Sequence, residues 1–268
     1  MPPKRSGIAK RTSKPSSSSS SKKSTPSASP AAAPPDPNTG PIFFWRPQEA
    51  ATGYLSQWYA HPFRDRADPA KVYATAEHYM MHQKALLFGD AAAAASILEA
   101  ASPRDVKALG RAVRGFEQAV WERERARIVA EGNWAKFSLP VVVDDDDGTA
   151  AAGAAAGAAV AGGKKGGEGV EEARTWRLGN ADDALTVRAK SFRDVLLATG
   201  DRELVEASPR DRIWGIGFGA KGAEAKRAKW GMNLLGKCLM EVREQFRNEA
   251  EAEAQDKEGA RVEDSEEA

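Results

Sequence analysis

The apolar positions between residues 42 and 143 recur mainly at helical spacing. The exception is IFFWR at 42–46, a short apolar run between two prolines that predicts a buried strand. TAEHYMMHQKALLF at 75–88 predicts a helix that ends at Gly89, since glycine is a common residue just past a helix end. The alanine-rich stretch AAAAASILEAA from Ala91 is helical by propensity.

Two further helices are predicted before residue 143. Ser102 followed by Pro103 is typical of a helix start, because serine caps the first turn and proline fits its first position. Apolar residues at 116, 120, 121, 128 and 129 then predict a long amphipathic helix from Gly115 to about Ala130. The aromatic segment from Tyr54 to Phe63 predicts a strand or irregular structure.

The second half of the chain repeats this mixture of helices and short strands. Ser191 caps a predicted helix that Gly200 ends, ELVE at 203–206 predicts a short strand, and 233–246 predicts a last helix with apolar residues at helical spacing. The whole chain is predicted to contain about six helices and two to four short strands. No alternating βαβ pattern is present, so we expect a mainly α fold, an α+β domain with a few short strands.

Composition limits the part of the chain that can bury a core. Residues 1–40 are basic and rich in serine and proline, so we expect disorder. Residues 144–169 are an Asp run followed by Ala/Gly repeats, which predicts a flexible insertion. Residues 247–268 are mostly acidic, either a frayed helix extension or a solvated tail. The remainder, 41–246, predicts a single domain interrupted by one insertion.

Charge and cysteine content exclude several classes of protein. The 39 Lys and Arg residues nearly balance 38 Asp and Glu residues, which argues against a core that binds nucleic acid by charge. A single cysteine, Cys238, excludes an internal disulfide and a thiolate zinc cluster. No apolar run reaches the length of a membrane span, and no secretory signal is recognised, so we expect an intracellular protein, cytoplasmic or nuclear.

The predicted helix at 75–88 carries the most polar chemistry. His78 and His82 lie on one face, as zinc ligands do, but no third ligand has a recognisable spacing, so partly exposed, hydrogen-bonded histidines are the better interpretation. Glu77 and Lys84 share a broad face with apolar residues. From the residues alone they are either the ends of side chains that reach water or the polar floor of an apolar pocket.

The loop DRIWGIGFGAKG at 211–222 is the second candidate. Asp211 and Trp214 stand beside glycines that let the backbone approach a ligand closely. The spacing of a phosphate-binding P-loop is absent. Trp214 is either a core residue or a residue that stacks on a ligand.

Together these segments resemble the NADAR family of YbiA-like N-glycosidases. The matching pieces are YATAEHYMMHQKA at 73–85, SPRDVKALGR at 102–111, the helix of Trp121, NWAKF at 133–137, LLATGDRELVEASPRDRIWGIG at 196–217 and NLLGKCLMEVRE at 233–244. They cover essentially both predicted folded blocks. One departure concerns the family signature Trp-Gly-Asp-Gly, which has Ile216 at its third position here. Asp211 replaces that acid, the substrate differs, or the activity is impaired.

The resemblance implies cleavage of an N-glycosidic bond in a ribosylated heterocycle, either a phosphoribosylamino-pyrimidine of riboflavin synthesis or an ADP-ribosyl compound. It implies no metal or redox cofactor and no membrane partner, and nucleic acid enters only as an ADP-ribosylated substrate. Glu77 is the candidate that stabilises positive charge on the sugar, and Asp211 is the second catalytic candidate. Candidates for binding the substrate are Lys84, Trp121, Trp214, Gly215, Tyr79 and Asn233.

Two other functions fit the same residues. The pocket can recognise an ADP-ribose-like ligand without hydrolysing it, and release of free base distinguishes an enzyme from such a binding module. The chain can also be an adaptor that engages partners through its basic N-terminal and acidic C-terminal tails. Deletion of both tails would abolish that role and leave hydrolysis intact.

Overall fold

A computed structural model describes residues 40–141, 174–178, 185–189 and 191–266. The N-terminal tail up to residue 39 and the predicted insertion at 144–169 lie outside the described residues. Within these ranges, no helix is both long and apolar enough to cross a membrane.

The described residues form six α-helices and six short strands, which confirms the mainly α fold with a few strands. The helices are α1 (Ala76–Leu87), α2 (Ala91–Glu99), α3 (Pro103–Arg111), α4 (Gln118–Ser138), α5 (Phe192–Leu197) and α6 (Leu234–Glu266). The strands are β1 (Ile42–Phe44), β2 (Phe63–Arg64), β3 (Val72–Tyr73), β4 (Arg174–Leu178), β5 (Leu185–Ala189) and β6 (Leu204–Glu206). Strand β1 pairs in parallel with β6, whereas β2–β3 and β4–β5 are antiparallel pairs. The β4–β5 pair was not predicted from the sequence.

Helix α1 packs against α2, α3 and α4 and is the centre of the domain. Thr75 begins it, because the Thr75 side chain accepts a hydrogen bond from the His78 backbone N–H. Close approach to the neighbouring helices requires glycine at two positions. A Cβ at Gly132 of α4 would lie 2.5 Å from the Tyr79 ring, and one at Gly110 of α3 would lie 2.1 Å from the Met81 sulfur. Methyl groups at these positions would push the helices apart.

Helix α4 continues to Ser138, so the predicted end near Ala130 was wrong by two turns. The helix passes through Gly132 and Asn133, whose low helix propensity is offset by tertiary contacts. Asn133 is fully buried, and its amide donates to the Gln57 side chain at 3.0 Å and to the Val129 carbonyl at 2.8 Å. The asparagine therefore connects α4 to the segment that precedes α1.

Helix α6 supplies much of the core and then extends beyond it. Leu235, Leu239, Val242 and Phe246 are buried, as their helical spacing predicted. The same helix continues through the acidic segment to Glu266. Of the two alternatives for this segment, the described residues therefore adopt the helix extension.

Lys136 of α4 is a fully buried ammonium group. Its Nζ donates to the carbonyls of Tyr54 at 2.6 Å and Ser56 at 3.1 Å, next to the Tyr59 and Phe137 rings. Burial lowers the pKa of Lys136 to about 7. The lysine thus holds the loop at 54–58 by hydrogen bonds, at the expense of removing its charge from water.

Replacing Lys136 with methionine should change how stability depends on pH. Because the folded pKa is depressed, the unfolded chain binds more protons between about pH 7 and pH 10, and this lysine makes stability rise over that interval. We expect the free energy of unfolding of wild type to increase relative to Lys136→Met from pH 7 to pH 9, as measured by urea unfolding. A difference that does not change with pH would mean that the folded lysine keeps an ordinary pKa.

Candidate active site

Glu77 lies in the first turn of α1 and is almost completely buried, with 4% of its surface exposed. Its backbone N–H donates to the Gln57 carbonyl at 3.0 Å, which ties the start of the helix to the loop at 54–58. At this end of a helix the free N–H groups and the helix dipole favour a negative charge. Of the two alternatives for Glu77, burial excludes a side chain that ends in water.

Burial raises the pKa of Glu77 to about 7. Lys107 and Arg111 of α3 and a hydrogen bond from the Trp58 side chain oppose this effect, whereas the charge of Asp211 adds to it. A carboxyl whose pKa lies near neutrality can be either a proton donor or a proton acceptor in the physiological range.

Glu206 is a second buried carboxyl that interacts with the first. It is the last residue of β6, and burial raises the pKa of Glu206 to about 8, with further increases from the charges of Asp211 and Glu77. Its Oε2 atom is buried and has no hydrogen-bond partner among the described residues. Buried carboxyl oxygens usually have partners, so an unpartnered one at a cluster of acids is typical of a ligand site.

Asp211 completes an acidic group with these two residues, because its charge acts on both of them. Its Oδ1 accepts hydrogen bonds from the backbone N–H groups of Ile213 and Trp214, both at 2.8 Å. These bonds fix the turn that leads into Trp214. The carboxyl of Asp211 is thus partly used in holding its own loop.

Gly215 lets this loop contact the end of β6. A Cβ at Gly215 would lie 2.7 Å from the Glu206 carbonyl oxygen, which also accepts from the Ile216 N–H at 2.9 Å. Trp214 beside it is half-buried and packs on the main hydrophobic core. The loop therefore places its tryptophan and aspartate near Glu206, as a single unit.

Four residues of this site were not predicted from the sequence: Trp58, Lys107, Arg111 and Glu206. Lys107 lies with its Nζ 5.7 Å from the Trp58 ring centre and acts on both glutamates. The only signal was that Lys107, Arg111 and Glu206 fall within segments that carry the family resemblance. No local pattern distinguishes them from ordinary surface charges.

Lys84 and Trp121 lie together, in a different set of contacts from Glu77. The Lys84 Nζ donates to the Gly110 carbonyl at 2.7 Å and lies 4.3 Å from the Phe116 ring centre and 5.5 Å from that of Trp121. The cations that lower the pKa of Glu77 are Lys107 and Arg111. They, rather than Lys84, favour its ionised form.

Two other predicted residues make contacts that support the fold. The Tyr79 ring is buried, and its centre lies 5.0 Å from that of the Tyr73 ring. The Tyr79 hydroxyl is hydrogen-bonded to Glu131. Asn233 has a φ of 51°, and its side chain donates to the Leu204 carbonyl and accepts from the Glu206 N–H, both at 2.9 Å. Asn233 therefore fixes the strand that carries Glu206.

Ile216 has no exposed surface and packs with Val205 and Ala223 in a small apolar cluster. The side chain at this position is therefore surrounded by hydrocarbon, not placed beside the three acids. Asp211 is the loop acid whose charge reaches both glutamates in this chain.

The two histidines of α1 are buried and hydrogen-bonded, not partly exposed as predicted. The His78 ring contacts the Thr75 hydroxyl at 2.8 Å and the Ala100 carbonyl at 3.1 Å, and the His82 Nδ1 lies 3.1 Å from the Tyr73 hydroxyl. Among the described residues, no group of three or more His, Cys, Asp or Glu side chains is placed to hold a metal ion.

This arrangement of two buried glutamates, a loop aspartate and a glycine-tryptophan turn can be compared with known proteins. The NADAR domain matches residues 43–247, which spans most of the chain. The chain belongs to the NADAR domain family, which confirms the resemblance found in the sequence.

Two relatives carry the name N-glycosidase. N-glycosidase R617 of Acanthamoeba polyphaga mimivirus is 34% identical over 201 residues, 74% of this chain and 89% of the relative. N-glycosidase Npun_R5314 of Nostoc punctiforme is 31% identical over 66% of this chain and 76% of the relative. The match to the solution structure of the E. coli protein YbiA covers 79% of this chain and 87% of YbiA, with 23% identity and a TM-score of 0.48.

Proposed function

We propose that this member of the NADAR family is an N-glycosidase that hydrolyses the bond between a ribose carbon and a nitrogen of a heterocyclic base, either in its ring or in an attached amino group. The substrate is a phosphoribosylamino-pyrimidine or an ADP-ribosyl compound. The observation that carries the proposal is the pair of buried carboxyls, Glu77 and Glu206, with pKa values of about 7 and 8. Such a pair can exchange protons with both the water and the leaving group near neutral pH.

The neighbours of Glu77 give it the charged role, since Lys107, Arg111 and a hydrogen bond from Trp58 favour its ionised form. Glu206 has only Lys107 to favour its ionised form and has an unpartnered oxygen, so the proton that the pair shares near neutral pH resides mainly on Glu206. The Glu77 carboxylate then stabilises the positive charge that develops on the ribose C1′ and ring oxygen. It also accepts a proton from the water whose oxygen forms the new bond to C1′.

Glu206 donates a proton to the leaving heterocycle. As the C1′–N bond breaks, the heterocycle nitrogen retains the electron pair and accepts the proton of the Glu206 carboxyl. The reaction yields the free heterocycle and a ribose with a C1′ hydroxyl. The proton that Glu77 takes from water replaces the one that Glu206 loses, so the pair carries the same charge before and after turnover.

The surrounding residues have distinct supporting roles in this proposal. Lys107 favours the ionised forms of both glutamates, since its charge lowers their pKa values. Asp211 keeps those pKa values high, and the half-buried Trp214 offers a ring on which the heterocycle stacks. Trp121 has little free surface, so its role is to form the apolar wall near Lys84.

The pH dependence of hydrolysis tests the pair. We expect kcat/KM to rise through about pH 7 as Glu77 ionises and to fall through about pH 8 as Glu206 loses its proton. Glu206→Gln should remove the alkaline decline and lower the rate by about a hundredfold, a typical contribution of a general acid. Release of free heterocycle is measured by mass spectrometry on both substrate classes.

Two controls belong to this experiment. Glu203→Gln changes a glutamate on the same segment that pairs with Arg227 instead, and it should leave the profile unchanged. An alkaline decline that persists in a folded Glu206→Gln protein would exclude Glu206 as the acid. Tight binding of both substrates without release of heterocycle would instead identify a binding module.

A further inference from the structure

A cavity of about 430 Å³ lies between β1, the loop at 51–54 and the end of α5. Most of its wall is apolar and includes Ile42, Phe43 and Val195. None of the three acids of the candidate active site lines it. An apolar cavity of this size with a few polar groups in its wall is typical of a binding site for a small organic molecule. We call it the β1–α5 cavity.

Arg202 is the charged residue in the wall of the β1–α5 cavity. Its Nε donates to the Gly40 carbonyl at 2.7 Å, but within the described ranges its guanidinium has no carboxylate at ion-pair distance. The acids beside it in the sequence, Asp201 and Glu203, pair with other arginines. The guanidinium fork of Arg202 therefore lacks an anionic partner in the described part of the chain.

Arg243 of α6 contacts this wall from behind. Its Nη1 donates to the Thr199 hydroxyl at 2.7 Å and to the Arg202 carbonyl at 2.9 Å, and both of these residues line the cavity. Only 5% of Arg243 is exposed, and its Nε is buried without a hydrogen-bond partner among the described residues. A buried guanidinium without a carboxylate keeps its positive charge unbalanced. The cavity therefore has a second cation behind Arg202.

Tyr54 shows that both positive charges act at the cavity. Its side chain is buried and forms part of the wall. Burial raises the pKa of the Tyr54 hydroxyl, and the charges of Arg202 and Arg243 oppose that rise. The carboxylate of Glu49 lies beside the wall, where it accepts a hydrogen bond from the Thr52 hydroxyl at 3.0 Å. Two cations against one carboxylate, in a mostly apolar wall, favour an anionic ligand with hydrocarbon surface.

We infer that the β1–α5 cavity is a second binding site, which takes a small organic carboxylate with an apolar body. The carboxylate accepts two parallel hydrogen bonds from the guanidinium fork of Arg202. The hydrocarbon part packs against Ile42, Phe43 and Val195 and leaves water. An inorganic anion such as phosphate has no apolar surface to bury and gains only the interaction with the charges. The site shares no residue with the acids of the proposed hydrolysis.

Calorimetry with 2-naphthoate and its neutral amide, 2-naphthamide, at fixed ionic strength tests the inference. The two probes have the same aromatic body, so their difference in affinity measures the contribution of the carboxylate. Wild type should bind 2-naphthoate at least about tenfold more tightly than 2-naphthamide, since hydrogen bonds to charged groups contribute on this scale. Arg202→Met should lose that preference. Arg202→Lys, which keeps the charge without the fork, should keep part of it.

Ala198→Phe tests where the probes bind. Ala198 is an exposed residue in the wall of the cavity and has a helical backbone conformation, so the fold can accept a larger side chain there. The ring takes the space of the ligand, and binding of both probes should be lost. Arg123→Met removes an exposed arginine of α4 that pairs with Glu124 at 3.0 Å, and it should bind both probes like wild type. Glu77→Gln should also bind both like wild type.

Thermal unfolding of each variant shows whether it is folded, and Ala198→Phe decides the question if neither variant of Arg202 is. Four results would overturn the inference: equal affinity of wild type for the two probes, no binding of 2-naphthoate, an unchanged preference in folded Arg202→Met, or unchanged binding in folded Ala198→Phe. Displacement of 2-naphthoate by an equal concentration of inorganic phosphate would reject an organic ligand, since charge alone would then suffice.

The outcome is separable from that of the proposed hydrolysis. Loss of binding in a folded Glu77→Gln protein would place 2-naphthoate at the candidate active site and would reject the second site. Binding that requires Arg202 but not Glu77 would uphold the second site, whether or not the protein releases a heterocycle.

Discussion

Glu77→Gln should lower the rate of hydrolysis by about a hundredfold to a thousandfold and at the same time make the fold more stable near neutral pH. Glutamine keeps the size of the side chain but cannot carry the negative charge that stabilises the developing cation. It also cannot accept the proton of the attacking water. The rate loss is measured as release of free heterocycle, and circular dichroism shows that the variant is folded.

The gain in stability follows from the pKa of Glu77. This pKa is about 7 in the folded protein and near 4.5 in its ordinary environment, so between these pH values the unfolded chain releases a proton that the folded chain keeps. Wild type therefore loses stability as the pH rises through this interval. Glu77→Gln avoids that loss, which is at most on the order of 3 kcal/mol at pH 8.

Urea unfolding at pH 4 and pH 8 measures the effect. The advantage of Glu77→Gln over wild type should be larger at pH 8 than at pH 4. Glu99→Gln, an exposed glutamate at the end of α2, is the control and should show no such change. Wild-type turnover in a folded Glu77→Gln protein would remove Glu77 from the mechanism.

Ile216→Asp should destabilise the protein by more than about 3 kcal/mol, because it buries an unpaired carboxyl in hydrocarbon. Ile216 has no exposed surface, and its neighbours are Val205 and Ala223, with Phe218 and Trp230 packed against them. Restoring the acid that the family usually has in this loop should therefore damage the fold rather than increase activity.

Chemical denaturation of Ile216→Asp and Ile216→Val distinguishes loss of packing from burial of charge. The valine variant removes one methylene and should cost only about 1 kcal/mol. A stable Ile216→Asp protein with higher activity would show that the side chain at 216 reaches the substrate.

Asp211→Asn should lower the alkaline pKa of the rate profile, since the charge of Asp211 raises the pKa of Glu206.

The sequence by itself determined the elements whose signals are local. Thr75, Ser102 and Ser191 each accept a hydrogen bond from a backbone N–H three residues on, and all three begin a helix where the sequence predicted one. The core face of α6 followed from its apolar spacing. Glu77 was named as a candidate from a short motif on one helix and from the family resemblance, whereas the residues alone left open whether its side chain reaches water.

Tertiary structure alone decided which charges share a site and where helix α4 ends. Glu206 and Lys107 come from β6 and α3, and only the packing of these elements around α1 brings their charges to Glu77. Helix α4 continues through Gly132, where the Tyr79 ring leaves no space for a side chain, a requirement that no residue near 132 in the sequence reveals. Burial also sets the pKa values of the acids. Removal of water by distant segments is a property of the folded domain, so no local pattern encodes it.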